Sequence, residues 1–238
     1  MANKKTIVMI PTYNESKNIE KLVRKILKLN IKNLGLLIVD DNSPDGTAEI
    51  VRSINDSRVH LLLRKGKRGR GLAGKAGFEK ALEIGADYIV EMDGDFSHNP
   101  IYIPSMLNEI KNYDLILGSR FVKGSEDIGR NILRRLLTNS ANRYIRGMLG
   151  IPVNDCNSGY RCFRKEVIKS IVNGLNADGP DIVQEVLYKS YLKKYKIKEI
   201  PIKFEERREG ESKLGIKHFF KGLGIVIKLK FLHIIGKI

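Results

Sequence analysis

The chain has 238 residues, 42% of them hydrophobic and 29% charged, which is the composition of a folded protein and excludes a disordered one. Its length suits one domain, or one domain with a short appendage. Forty-three Lys and Arg residues against 27 Asp and Glu leave a formal net charge of +16, which predicts an anionic partner such as nucleic acid, a phosphorylated small molecule or an acidic membrane surface.

Strand and helix patterns alternate through the first half of the chain. Strands are predicted at residues 6–10, 34–39, 59–63, 88–92 and 115–118. Helices are predicted between them, at residues 19–27, 47–54, 72–84 and 101–110. This repeated βα pattern predicts an α/β fold with a mainly parallel sheet and helices on both faces.

The second half is less regular. Residues 132–149 have helical spacing, a loop is predicted at residues 154–161, and two further helical stretches lead to a strand-like run at residues 197–204. We expect one domain, residues 1–211, followed by a tail, residues 212–238.

The tail contains six lysines and no acidic residue. Its apolar residues recur on one helical face, including Val226 and Ile227, and Lys217, Lys221 and Lys228 fall on another. Such a helix suits a membrane interface, where each Lys near anionic lipid contributes ~1 kcal/mol. The alternative is a helix packed on the core of its own domain.

Cysteine usage and the N-terminus predict a cytoplasmic protein. Cys156 and Cys162 lack C-x₂-C spacing, so we expect packing residues in a reducing compartment. The apolar run at residues 6–10 is too short for the core of a signal peptide. No segment approaches the roughly 18 uninterrupted apolar residues of a membrane-spanning helix.

Polar residues follow several predicted strands at the point where each strand ends. Asp93-Gly94-Asp95 follows one strand and Asp40-Asp41 another, and Pro11 follows the first. Ligands of parallel sheets bind at these ends, so we expect the three segments to share one crevice. Paired carboxylates there suit Mg²⁺ or Mn²⁺ bound together with phosphate oxygens, although Asp-Gly-Asp is also common in turns.

Residues 69–74 match the dinucleotide fingerprint G-x-G-x-x-G, and this supports an NAD(P)-dependent oxidoreductase as an alternative. However, the fingerprint normally closes the first strand–helix turn, and here it follows the third strand after residues 64–68. We therefore interpret these glycines as part of a flexible basic loop over a phosphorylated ligand.

A basic nucleic-acid-binding module is the alternative from another class. It predicts aromatic residues interleaved with basic ones, and residues 64–75 contain none, so we expect no nucleic-acid partner.

The ordered motifs resemble glycosyltransferase family 2, which has a GT-A fold. The motifs of the first half are residues 11–15 (P-T-Y-N-E), 39–47 (V-D-D-N-S-P-D-G-T) and 92–98 (M-D-G-D-F-S-H). Those of the second half resemble the dolichyl-phosphate (polyprenyl-phosphate) mannosyltransferase branch: residues 118–121 (G-S-R-F), 134–138 (R-R-L-L-T), Asp155 with 158–161 (S-G-Y-R), and Arg207 with 210–214 (G-E-S-K-L).

The resemblance implies transfer of mannose from GDP-mannose to a polyprenyl (dolichyl) phosphate with inversion of configuration. Glucose or another sugar is the nearest alternative. It implies Mg²⁺ or Mn²⁺ as cofactor and a peripheral location on the cytoplasmic face of a membrane, with the tail or a partner subunit as anchor. The sequence departs from the usual family pattern at Gly94, Thr138 and Asn139.

The resemblance also assigns site residues. Those implied for the nucleotide sugar are Pro11, Tyr13, Glu15, Asp40, Asp41, Asp93, Gly94 and Asp95. Those implied for the metal are Asp93, Asp95 and Ser97, and those for the acceptor phosphate are Arg120, Arg134, Thr138, Arg207 and Lys213. Catalysis would depend most on Asp95, Arg120 and Arg134.

Elementary electrostatics supports these roles. An anionic acceptor must approach an anionic donor, and two unit charges ~4 Å apart repel by about 4 kcal/mol at an effective dielectric constant of about 20. A divalent ion and an arginine cluster would cancel this repulsion. A phosphate oxygen is already an anion and needs no strong general base.

Each assignment has a simpler alternative. Arg120 and Arg134 would be solvated surface charges, Glu15 and Asp40 caps of helices or turns, and Tyr13 a core residue. Glu185, in an amphipathic stretch, would contact the sugar or, more simply, be an exposed helix residue, and His98 is interpreted as a turn residue and not a ligand.

Overall fold

The apolar runs form a seven-stranded sheet in the computed structural model, which describes residues 4–129, 132–205 and 216–238; the side chains of Arg134 and of residues 216–223 are outside the described set. The strands are β1 Thr6–Thr12, β2 Leu34–Asp40, β3 Val59–Leu63, β4 Tyr88–Glu91, β5 Leu115–Ser119, β6 Glu126–Ile128, β7 Arg161–Arg164, β8 Ile197–Pro201 and β9 Lys203–Glu205. The seven run in the order β3-β2-β1-β4-β7-β5-β8, and β6 pairs with β9 separately.

The sheet is parallel except at one strand. β7 is antiparallel to both of its neighbours, β4 and β5, and all other pairs in the sheet are parallel. The predicted α/β fold and its five strands are confirmed. β7 was not predicted, because the expected loop ended where this strand begins.

Helices cover both faces of the sheet. They are α1 Ile19–Leu27, α2 Thr47–Ser53, α3 Arg70–Glu83, α4 Ile103–Glu109, α5 Ile132–Leu149, α6 Lys165–Ile171, α7 Ile182–Leu192 and α8 Ile216–Ile234. Side chains of β1 alternate between two cores: Ile7 and Met9 pack with α3, α6 and α7, while Val8 and Ile10 pack with α1, α2 and α4. The central strands are therefore buried on both faces, which explains their continuous apolar runs.

The C-terminal helix α8 packs against α5. Val226 and Leu229 of α8 are buried in the core, whereas Ile227 is 53% exposed. The predicted grouping of Val226 and Ile227 on one face is therefore wrong, because the helix divides them between the core and solvent. None of the helices in the described part of the chain combines the length and the hydrophobicity needed to span a bilayer.

Candidate active site

The ends of β1, β2 and β4 meet at one edge of the sheet, as the strand pattern predicts. Thr12 at the end of β1 pairs with Asp40 at the end of β2, and the Asp41 amide donates to the carbonyl of Thr12. Gly94 lies against the same strand end, since a Cβ built on it would be 3.4 Å from the Thr12 and Glu15 side chains. The segments predicted for nucleotide and metal are therefore neighbours across one crevice.

Three residues in the loops of this crevice have left-handed backbone conformations. Asn14, Asn42 and Phe96 have φ values of 61°, 57° and 64°, and each lies in the loop that follows β1, β2 or β4. Asn adopts this conformation readily, but a bulky Phe does so at a cost of order 1 kcal/mol or more. Such strain concentrates at functional sites.

The neighbouring carboxylates Asp40 and Asp41 are engaged by the protein. Asp40 is fully buried and accepts hydrogen bonds from Thr12 Oγ1 at 3.0 Å and from the amide and hydroxyl of Ser43 at 2.9 and 2.6 Å. Asp41 accepts from the Gly69 amide at 2.6 Å and forms an ion pair with Arg64. They hold the loops of the crevice in place, and their contact with a nucleoside stays a prediction.

Arg68 and Tyr13 form the solvent-facing wall of the same crevice. The Arg68 guanidinium carbon lies 4.9 Å from the centre of the Tyr13 ring, and the guanidinium donates to Tyr13 Oη and to the Asn42 carbonyl, both at 3.0 Å. Tyr13 is 36% exposed. Arg68 was not predicted individually, although it belongs to the basic run that the sequence places after β3.

The two acidic side chains of the Asp-Gly-Asp motif are supported differently. Asp95 Oδ1 accepts hydrogen bonds from the Ser97 hydroxyl at 2.6 Å and from the Ser97 amide at 3.1 Å. The Asp93 side chain is 40% exposed. The structure therefore gives Ser97 a supporting contact to Asp95, and its role as a metal ligand stays a prediction.

His98 is part of this support, and its interpretation as a turn residue is incomplete. It is only 4% exposed, and its Nδ1 accepts a hydrogen bond of 3.0 Å from the Asp93 amide. Burial lowers the pKa of His98, although the charges of Asp93 and Asp95 oppose this shift. The ring is therefore neutral, and it stacks on Tyr160 with 5.0 Å between ring centres.

The donor set of the acidic centre fits a hard divalent ion that also has other ligands. Asp93 and Asp95 offer carboxylate oxygens, the preferred ligands of Mg²⁺ and Mn²⁺. Among the described residues, no group of three or more His, Cys, Asp and Glu could hold a metal. An ion here would therefore take its remaining ligands from water or from a substrate diphosphate.

A buried charge cluster, which no sequence pattern predicted, lies directly beneath Asp93. Glu91 of β4 is fully buried and binds Arg161 through Nε and Nη2, at 3.0 and 2.5 Å. Arg70 donates to the other Glu91 oxygen at 2.8 Å, and the same Arg70 nitrogen lies 3.6 Å from Asp93 Oδ1. Burial alone would raise the pKa of Glu91, but the two guanidinium groups lower it below its usual value. The position of Glu91 inside the apolar run I-V-E-M was the sequence feature that could have predicted a buried, paired carboxylate.

The interpretation of residues 69–74 as a flexible loop is wrong. Helix α3 begins at Arg70, so two of the three glycines lie inside it. The Gly71 amide donates to the Asp178 carbonyl at 2.9 Å, and a Cβ on Gly71 would be 2.0 Å from the Ala177 carbonyl oxygen. The glycines therefore allow the start of α3 to pack against the backbone of residues 177–178.

On the predicted acceptor side, Arg120 is not a solvated surface charge. Its side chain is 11% exposed and forms two hydrogen bonds of 2.7 Å with Asp155, which is fully buried. Burial would lower the pKa of Arg120, but the Asp155 carboxylate raises it above its usual value. Its guanidinium lies over the Phe204 ring, 5.2 Å from the centre.

The other predicted acceptor residues are less fully placed. Arg134 and Thr138 lie one turn apart on α5, and only Thr138 has a described side chain, which is half-buried. Arg207 and Lys213 lie outside the described residues. The acceptor roles of all five residues stay predictions.

Two further expectations have clear outcomes. Glu185 is 4% exposed and accepts hydrogen bonds from the amides of Asn176 and Ala177, so the expectation of an exposed residue is wrong. Cys156 and Cys162 are buried packing residues, as predicted, and burial raises the pKa of the Cys156 thiol to about 12.

Comparison with known proteins agrees with this arrangement. The model of the family described as Glycosyl transferase family 2 matches residues 7–172. The chain is 35% identical over 214 residues to undecaprenyl-phosphate mannosyltransferase of Micrococcus luteus, covering 89% of this chain and 88% of that protein. It is 34% identical over 216 residues to polyprenol monophosphomannose synthase of Mycolicibacterium smegmatis, covering 89% and 81%.

A third relative is longer than this chain. Identity to dolichol-phosphate mannosyltransferase of Pyrococcus furiosus is 35% over 232 residues, which is 94% of this chain and 63% of that protein. Among solved structures, glucosyl-3-phosphoglycerate synthase of Mycobacterium tuberculosis with Mn²⁺, UDP and phosphoglyceric acid gives a TM-score of 0.70 at 18% identity, covering 99% of this chain and 80% of that one. At this identity the likeness concerns the fold alone. The chain therefore belongs to glycosyl transferase family 2, and it is a glycosyltransferase with a GT-A-like fold.

Proposed function

We propose that the chain transfers mannose from GDP-mannose to a polyprenyl phosphate, with inversion at the anomeric carbon and with the help of Mg²⁺ or Mn²⁺. The observation that supports the proposal is the meeting of the ends of β1, β2 and β4, which brings the Tyr13–Arg68 pair and the segment Asp93-Gly94-Asp95 to one edge of the sheet. The names of three relatives, each about 35% identical, supply the sugar and the lipid class.

The reaction needs little proton transfer. An oxygen of the acceptor phosphate attacks the anomeric carbon of mannose, the bond from that carbon to the donor diphosphate breaks, and GDP leaves with the bonding electrons. Asp93 and Asp95 would hold a divalent ion, which would supply charge neutralisation for the departing diphosphate. The neutral, buried His98 holds the Asp93 backbone and is not needed as a base.

Positive charge is the main requirement on the acceptor side. We assign this task to the segment that begins at Arg120 and to the first turns of α5, which carry Arg134 and Thr138. Because Arg120 is already paired with Asp155, we expect it mainly to organise the acceptor pocket. The part of its guanidinium that does not bind Asp155 would face the acceptor phosphate. Arg134 is then the main candidate for direct phosphate contact, since guanidinium binds phosphate through two hydrogen bonds.

A surface on α5 and α8 supports attachment to a membrane, where a polyprenyl acceptor resides. Ile132, Leu133, Leu136 and Leu137 of α5 are 40–75% exposed, and Ile227, Phe231 and Ile234 of α8 are 53–72% exposed. Arg135, Lys228 and Lys230 belong to the same two helices. We call this the α5–α8 surface and propose that it lies peripherally on the cytoplasmic face of a membrane.

The decisive experiment measures transfer directly. Labelled GDP-mannose, a polyprenyl phosphate and Mn²⁺ are incubated with the protein, and label is counted in the lipid phase. We expect transfer that stops when EDTA is added and that Asp95→Asn lowers by at least about a hundredfold. Lys80→Gln, which breaks an ion pair with Glu83 at the C-terminal end of α3, is the control. Transfer from UDP-glucose alone would change the sugar, and no transfer from any nucleotide sugar would end the proposal.

A further inference from the structure

The buried cluster beneath the acidic centre contains one positive charge too many. Glu91 carries one negative charge, which Arg161 balances through two hydrogen bonds to Oε2, yet Arg70 binds Oε1 of the same carboxylate as well. Arginine stays ionised in proteins, so these three side chains sum to +1. An uncompensated buried charge is costly, and the nearest group that can balance this one is Asp93, 3.6 Å from Arg70 Nη2.

Asp93 is also the residue proposed to hold the metal. A divalent ion on Asp93 and Asp95 would cancel the negative charge that now balances Arg70. It would also bring a double positive charge close to a guanidinium that is 23% exposed and therefore weakly screened. The two carboxylates alone would then bind the ion poorly. A donor diphosphate brings further negative charge, which would compensate both the ion and Arg70.

We propose that Arg70 is a positioning residue that acts as the counter-ion of Asp93 and suppresses metal binding to the acidic centre when no nucleotide is bound. Metal and nucleotide diphosphate then bind together. The inference rests on the proposed metal dependence and adds that the metal binds only together with the nucleotide. Coupled binding would keep the acidic centre from holding a metal that lacks its substrate.

We expect a protein that lacks the Arg70 charge to fold. Arg70→Gln removes the hydrogen bond to Glu91 Oε1 but leaves the ion pair with Arg161 and its two hydrogen bonds to Oε2, so the buried carboxylate keeps a positive partner. It also removes Nη1 of Arg70, a buried nitrogen without a hydrogen-bond partner in the structure. Arg70→Lys retains the charge and changes the shape. Lys80→Gln removes a positive charge from the same helix, where Lys80 pairs with Glu83 in solvent.

The experiment titrates purified protein with Mn²⁺ and follows the electron paramagnetic resonance signal of the free ion, with and without saturating GDP. For the wild type we expect weak binding that GDP strengthens. For Arg70→Gln we expect Mn²⁺ to bind about tenfold more tightly than to the wild type when GDP is absent, with a smaller further gain on adding GDP. Arg70→Lys and Lys80→Gln should behave like the wild type.

Two results would overturn the inference while leaving the proposed function intact. One is an Arg70→Gln protein that binds Mn²⁺ without GDP no better than the wild type. The other is equal tightening in Arg70→Lys, because then shape and not charge is responsible. If the wild type binds no Mn²⁺ even with GDP or UDP, the metal dependence in the proposed function fails, and this inference fails with it.

Discussion

Arg120, which is predicted to bind the acceptor, also stabilises the fold. Its partner Asp155 is fully buried and receives the Arg120 backbone amide as well as two guanidinium hydrogen bonds. Removal of the guanidinium would leave the buried Asp155 carboxylate without its positive partner. We therefore expect Arg120→Ala to lower the free energy of unfolding by about 3 kcal/mol, measured by urea denaturation.

The control for this prediction is an exposed ion pair. Arg52→Ala breaks the contact with Glu49 on the surface of α2 and should cost less than about 1 kcal/mol. If Arg120→Ala unfolds at the urea concentration of the wild type, Asp155 has another partner and the buried-pair interpretation is incorrect. Loss of transfer in Arg120→Ala thus reports on acceptor binding only after stability is measured.

At the level of single residues, the sequence revealed charged groups at strand ends but did not reveal which charged groups pair across the fold. Asp93 and Asp95 were found because they follow an apolar run directly. Glu91 and Arg161 are 70 residues apart, and Arg120 and Asp155 are 35 apart. Neither pair has a local pattern, so neither partner predicts the other without the sheet order.

Among the helices and strands, α3 allows the most specific prediction, because its glycines determine how closely it packs against residues 177–178. A Cβ on Gly71 would collide with the backbone carbonyl of Ala177, and backbone atoms cannot rotate away as side chains do. We expect Gly71→Ala to destabilise the fold by about 2 kcal/mol in urea denaturation. The change should also weaken nucleotide binding, since Gly69 at the start of α3 donates its amide to Asp41.

Gly147→Ala on α5 is the matched control. A Cβ there would meet nothing within 4 Å, so the gain in helix propensity should stabilise the protein by up to about 1 kcal/mol. Equal effects of the two substitutions would show that the 177–178 segment yields and that the close contact is unimportant.

Elements with long periodic patterns were predicted well, and those defined by tertiary pairing were not. The predicted helix at residues 132–149 has the bounds of α5, because its apolar spacing continues through five turns. β7 has only four residues and an arginine at each end. What makes it a strand is its insertion between β4 and β5, which no local propensity encodes.

For the whole molecule, the distribution of exposed apolar residues is uneven. Of the eleven large hydrophobic residues exposed in the described part of the chain, four lie on α5 and three on α8. These two helices pack against each other, so the seven residues lie on one pair of packed helices. Together with the net charge of +16, this exposure is the basis of the proposed attachment to an anionic bilayer.

Co-sedimentation with vesicles of phosphatidylglycerol and phosphatidylcholine tests this surface. A Leu or Phe side chain that leaves water contributes about 1.5–3 kcal/mol, so Leu136→Glu and Phe231→Glu should each weaken vesicle binding at least about tenfold. Ile101→Glu is the control, because Ile101 is 63% exposed but lies outside α5 and α8, and the substitution changes the net charge equally. Added salt should weaken binding of the wild type only in part, since it screens the basic residues and leaves the apolar contacts intact.

If Ile101→Glu is as damaging as the other two, net charge alone governs attachment. If neither helix variant loses binding, the membrane contact lies elsewhere on the protein.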